Sequence, residues 1–235
     1  MIHMDVDIET LAKYPMESDD WLITVLLGGA MLLFSWLLVP LFVVQGYLIR
    51  ALRAGMDGAS EPPVFDEWGE LLKEGLIASV IMFVYQLIPT IVFFVMVGGS
   101  FLAMFSGSNA GAGLGIFAFM GSFALYGVLA LVFSFVGFAG VANYAKEETI
   151  GAGFDFGVIT TALTARDYIV AWLIAVACYL VAGAISSVIP LVGWIAAPFL
   201  TFYALIVAGW LLGDGFASAT GMQTGGSVDD DAVAV

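Results

Sequence analysis

The sequence predicts an all-α fold, a polytopic bundle of transmembrane helices. Three observations carry that prediction. Hydrophobic residues make up 62% of the 235 positions and charged residues 11%, where a soluble domain carries about 25% charge. Five runs contain no Asp, Glu, Lys or Arg, at about 21–44, 75–97, 115–141, 168–189 and 191–212, and a helix of about 20 apolar residues crosses a bilayer. The carboxylates, finally, are confined to four groups outside those runs, at 5–20, 57–74, 147–167 and 214–231.

The elements follow in order. Residues 1–20 form an acidic leader that holds the only histidine, His3. The first run, 21–44, is expected to span rather than to be cleaved. It is longer than the apolar core of a signal peptide, and acidic residues precede it instead of a short basic region. A connector follows whose residues 61–76 read EPPVFDEWGELLKEGL. Pro62 and Pro63 hold the chain extended, and Asp66 is placed to cap a helix. Trp68, Leu71, Leu72, Gly75 and Leu76 then recur at i, i+3, i+4, i+7 and i+8. This predicts an interfacial amphipathic helix leading into the second span, with Trp68 as its anchor at the headgroups.

Residues 98–114 are rich in Gly and Ser and predict a flexible outer loop between the second and third spans. The fourth and fifth runs are separated only by the Pro190 region, as a tight helical hairpin or, alternatively, a re-entrant pair. The tail from 215 is small, polar and acidic, a composition of disorder. Trp21, Tyr47, Trp68, Tyr144, Trp172, Trp194 and Trp210 fall near expected interfaces, where amphipathic rings settle. Small residues at four-residue spacing (Ala118, Ser122, Ala130 and Ser134, and the pair Gly209 and Gly213) predict close packing seams within the chain.

Charge narrows the function. The chain has 20 acidic and 6 basic residues and a net charge of −14. Binding to nucleic acid or to anionic lipid through a polybasic patch needs the opposite sign. Carboxylate-rich, lysine-poor connectors suit a cytosol of very high salt, where charges are screened within about 3 Å at 1 M, and this reads as a halophile's protein. Arg50, Arg53 and Lys73 lie in the connector after the first run, Lys146 and Arg166 in the connector after the third, and only Lys13 precedes the first run. With five spans the basic connectors and the C-terminus are expected in the cytoplasm of a cell-membrane protein and the N-terminus outside.

The dipeptide Phe65-Asp66 of the first connector recurs as Phe154-Asp155 in the connector before the fourth span, which suggests a weak parallel duplication. Around it, Gly46-Tyr47, Arg50, Arg53, Pro62-Pro63, Phe65-Asp66, Trp68-Gly69 and Gly75 resemble the first block of an archaeal membrane-protein family, the domain of unknown function 4013. Asn143-Tyr144-Ala145, Phe154-Asp155-Phe156, Asp167-Tyr168, Pro198-Phe199, Tyr203 and Gly213 resemble its second block. The resemblance covers about 20–216 and departs at 146–148, where Lys-Glu-Glu stands in place of a more basic connector. It implies a multi-pass membrane protein, mostly found in salt-loving archaea, with no known activity and no catalytic residues to assign.

Little in the chain points to chemistry. One histidine and one cysteine, Cys178, leave no histidine triad, thiolate cluster or disulfide, and no GxxxxGK[ST] loop is present. No cofactor or metal is expected, although carboxylates such as Glu70 and Glu74 are of the type that binds hard cations. A membrane enzyme would need Asp66, Asp155 and Asp167 to converge. The leading expectation is a non-enzymatic structural, scaffold or accessory protein. Membrane lipids and a membrane-protein partner or second copy are its expected contacts. The alternative is a small permease or lipid-handling protein. Tyr85, Tyr126, Tyr179 and Tyr203 each sit about mid-span, with Gln86 beside the first, and Pro89 could free a carbonyl nearby. They would either line a polar midplane cavity or bond between helices.

Overall fold

A computed structural model describes residues 8–188 and 192–222. The described chain is helical. A short α1 (Ile8–Lys13) and a 3₁₀ turn (Tyr14–Met16) precede α2 (Trp21–Leu33). A second 3₁₀ turn (Ser35–Leu37) leads to α3 (Val39–Met56). Two long helices, α4 (Trp68–Met104) and α5 (Asn109–Glu147), follow. A third 3₁₀ turn (Ile150–Phe154) and α6 (Phe156–Thr164) then lead to α7 (Arg166–Val188) and α8 (Val192–Ala219). Helices α4, α5, α7 and α8 are long and apolar enough to cross a membrane, and α2 is a shorter apolar helix. The bundle matches the expected membrane architecture.

Its core is α3, which packs on α4 on one side and α8 on the other. These contacts need glycine. A Cβ on Gly75 would run into the Phe42 carbonyl and the Gly46 amide, and one on Gly46 into the Leu71 carbonyl. On the other side, Gly209 lies on Ala51 and Gly213 on the Leu52 backbone. The Gly209/Gly213 pair is thus a seam inside the chain, the reading its spacing favours.

The same contacts fix helix directions. Residues 42–46 of α3 pass 75–71 of α4, so those helices are antiparallel. Residues 51–52 pass 209–213, so α3 and α8 are parallel. Gly28 and Gly29 of α2 meet Phe202 and Phe199, so α2 runs against α8 and therefore against α3. The run 21–44 is not one straight span. It is a hairpin that reverses at Ser35–Leu37 and Leu38 (φ 64). Pro40, at the start of α3, is the physical reason: a proline is tolerated in a first helical turn and breaks a helix interior. Helix α2, with 13 residues, is about 20 Å long, short of the roughly 30 Å hydrocarbon layer.

This reversal changes the side from which α2 is entered. The Tyr14 hydroxyl donates to the Glu61 carbonyl (3.0 Å), and the Tyr14 ring packs on Trp210 at 5.4 Å. The Trp210 indole N–H donates to the Ala59 carbonyl (3.0 Å). The segment before α2 therefore lies at the end of the bundle that holds both connectors and the end of α8, where the five-span count expected it at the opposite end.

Three further expectations are corrected. Most of 98–114 is helix, because Ser108 caps α5 by accepting from the Gly111 amide (3.0 Å), and Gly115 packs on Ser100 and Met104. The segment from Trp68 is the start of α4 itself, not a separate interfacial helix, with Leu71, Gly75 and the acidic Glu74 all buried. Helix α8 continues to Ala219, because Gly215 packs on Ala171 and Phe216 meets the Tyr168 ring at 6.4 Å. Both α7 and α8 are of spanning length, so the re-entrant alternative applies to α2 and α3 rather than to them. The expected disorder at 223–235 and the leader's residues 1–7 lie outside the described residues.

Candidate functional site

Every charged side chain among the described residues lies before α2, in the two connectors, or within a few turns of a helix end that meets them. The other end, at 34–38 and 105–108, has none. The polar end is the candidate site, and it is organised around two arginines one turn apart on α3.

Arg50 is mostly buried. It pairs with Asp66, approaches Glu67 at 3.4 Å and Glu70 at 4.0 Å, and donates to the Val64 carbonyl at 3.3 Å. This overturns Asp66 as a helix cap. Glu67 holds the cap position in a left-handed conformation (φ 44), with no side-chain cap bond. Asp66 is drawn to the guanidinium because a charged partner outweighs a backbone N–H. The Glu67 carboxyl titrates above its usual range, first through its hydrogen bond to Glu70 and then through the neighbouring charges of Glu70 and Asp66.

Arg53 ties three helices. Its Nε donates to the Ala145 carbonyl in the last turn of α5 (2.8 Å), and its Nη1 donates to Glu74 Oε1 of α4 (2.6 Å). A cation beside the last carbonyls of a helix also meets the negative end of its dipole. Glu148 lies 3.4 Å from Nη2, while Glu74 Oε2 is buried without a hydrogen-bond partner.

The two Phe-Asp connectors are held by the same kind of clasp. Tyr47 donates to the Pro63 carbonyl (2.8 Å), and its ring stacks on Phe65 at 4.6 Å. Phe65 also stacks on Trp68 and Phe202, each at 5.7 Å. Tyr85 donates to the Gly153 carbonyl (2.8 Å) and stacks on Phe154 at 5.7 Å. Asn143 adds a bond from Nδ2 to the Ala152 carbonyl (2.8 Å). The aspartates differ: Asp155 caps α6, accepting from the Gly157 amide (2.9 Å) and the Val158 amide (3.4 Å).

The midplane tyrosines are not brought together. Tyr85 holds the second connector. Tyr126 packs on Phe93 at 5.1 Å within the α4–α5 hairpin. Tyr203 donates to the Ala12 carbonyl of α1. Gln86 donates to the Ala130 carbonyl (3.3 Å), its Oε1 remaining buried without a partner. Tyr179 alone lines a cavity, of about 280 Å³, between α3, α5, α7 and α8. Asp66, Asp155 and Asp167 occupy an ion pair, a helix cap and the first turn of α7. Among the described residues, no group of three His, Cys, Asp or Glu side chains could hold a metal ion.

Sequence reasoning placed Tyr47 as an interface ring but missed its hold on the first connector, and it missed the pair Arg53–Glu74. The signal was there: two arginines at i, i+3 ending an apolar helix, followed by carboxylates at the start of the next.

No curated protein and no solved structure matches the chain. A family model described as "Protein of unknown function (DUF4013)" matches residues 32–191. That range contains both connectors and their clasps, and leaves out Pro198-Phe199, Tyr203 and Gly213 of the resemblance. The match covers more than half of the chain, which therefore belongs to the DUF4013 family.

Proposed function

We propose that this protein is a non-enzymatic accessory or structural component of a membrane, and that its polar end is the surface that meets a partner. The observation carrying this reading is how the polar end's functional groups are engaged. Tyr47, Tyr85, Arg50, Arg53, Asn143 and Asp155 each bond another part of the same chain. They act as clasps, and the surplus carboxylates, Glu67, Glu70 and Glu148 among them, remain on the rim. An acidic rim of this kind suits a salt-rich cytoplasm, and with it a haloarchaeal source.

All six Lys and Arg residues, Lys13 included, belong to segments of the polar end. Basic residues are retained on the cytoplasmic side, so this end faces the cytoplasm of the cell membrane, with the segment before α2 and the end of α8 both there. The partner is a membrane protein or a second copy. The test is crosslinking of the tagged protein in native-salt membranes, followed by mass spectrometry. A stoichiometric partner crosslinked through the polar end is the expected result; an enzymatic product or a transported solute traced to the chain alone would overturn the reading.

A second reading, a lipid-handling protein, is favoured by one observation: the cavity beside Tyr179. It is lined by Leu48, Leu131, Trp172, Ala208 and their neighbours at membrane depth.

A further inference from the structure

Helices α5 and α7 touch through Phe135, whose ring meets Tyr168 at 5.4 Å and Trp172 at 5.1 Å. Beyond that contact lies the 280 Å³ cavity, floored by Ala175 of α7 and Ala208 of α8. Leu131 and Leu180 at its margin are exposed on the lipid-facing surface. The volume is just below the roughly 300 Å³ at which ligand sites begin, so it has room for one ring or one chain and not for a two-chain lipid.

The lining is apolar with three polar groups. Ser134 has its proton engaged on the Leu131 carbonyl (2.7 Å). The Tyr179 hydroxyl and the Trp172 indole N–H have no hydrogen-bond partner among the described residues. Tyrosine and tryptophan ordinarily find an acceptor when buried; Trp172 is buried, Tyr179 is partly buried, and both lie on one face of α7, seven residues apart. With two unused donors and no charged group in the lining, the complementary occupant is uncharged, flat or chain-like, and bears an oxygen acceptor.

From this we infer that the cavity binds a neutral membrane lipid through a carbonyl oxygen, the chemistry of a lipid-soluble quinone, with Tyr179 as the donor. Trp172 supplies the aromatic wall and a second donor, and Ala175 and Ala208 leave the space. This binding rests on the lipid-handling reading, and the two fail differently in the following test.

The full-length protein in detergent is titrated with a decyl-tailed benzoquinone, read by tryptophan quenching, and competed with a decylbenzene that has the same tail and no carbonyl. Saturable quenching is expected, with decylbenzene a weaker competitor. Tyr179→Phe weakens the quinone about threefold, the loss of one hydrogen bond in a membrane interior, and leaves decylbenzene unchanged. Ala175→Phe fills the space and abolishes both. Should Ala175→Phe not fold, Tyr179→Phe decides alone, because a ring without its hydroxyl keeps the packing. Unchanged quinone affinity in Tyr179→Phe, or equal affinity for the two probes, overturns the carbonyl site and leaves the lipid reading standing. Absence of saturable binding by either probe overturns both.

Discussion

The two ends of this bundle are built from different chemistry. At the polar end, helices are stitched by side chains that reach backbone carbonyls and carboxylates on other elements. At the far end, α4 and α5 meet through Phe93, Phe101, Phe119 and Phe123, and much of that surface is left to lipid. The difference reflects the solvent. In hydrocarbon, helix association gains little from burying apolar area, so it relies on close approach and polar bonds. The charges that strengthen such bonds are costly away from water. The far end can afford packing alone; the polar end fixes which helix lies beside which.

That contrast can be broken most severely at its glycines. Gly75→Leu places a side chain where the Phe42 carbonyl lies. Separating α3 from α4 is expected to remove at least about 5 kcal/mol of stability, the range of the severest single substitutions, and to leave no monodisperse protein after detergent extraction. Next comes the buried ion pair. Glu74→Ala leaves Arg53 only the Ala145 carbonyl and the exposed Glu148, and loss of one partner of a buried pair costs up to about 3–5 kcal/mol. Chemical unfolding in detergent measures it, with the exposed Lys13–Glu9 pair as a control expected to give under about 1 kcal/mol.

The clasps give smaller effects. Tyr47→Phe and Tyr85→Phe each remove one hydroxyl bond while keeping the ring stack, about 0.6 kcal/mol apiece by the average for membrane interiors. Because they hold separate connectors, the double variant is expected to be additive. The far end sharpens the comparison by responding in the other direction. A Cβ on Gly98 meets nothing, so Gly98→Ala in the middle of a helix is expected to stabilise by about 0.5 kcal/mol or slightly more, seen as a small rise in melting temperature.

The sequence made the membrane helices legible because hydropathy reports the solvent of each segment directly. Four of five runs became single long helices on that basis. The run 21–44 misled because its composition is continuous while its backbone is not: Pro40 sits inside it, and only proline's effect on helix geometry marks the break. The candidate site was partly legible. Phe65-Asp66 and Phe154-Asp155 stood out as a repeated dipeptide, and both are at clasped connectors. Their aspartates diverge because Arg50, distant in sequence, is near Asp66 and leaves no local pattern there, whereas Asp155 caps the amides of Gly157 and Val158 just after it. The four tyrosines shared a depth in sequence count but face different elements, since depth along a span says nothing about the direction a side chain takes around its helix.

The chain enters α2 and leaves α8 at the polar end and reverses at 35–38, so the segment before α2 shares a side with the first connector. Single cysteines test it most directly. In a Cys178→Ala background, Glu17→Cys, Gly58→Cys and Gly107→Cys are labelled in sealed vesicles with a membrane-impermeant maleimide. Positions 17 and 58 are expected to label from one side and position 107 from the other. Labelling of position 17 from the side of position 107 would contradict it and make 21–44 a crossing span.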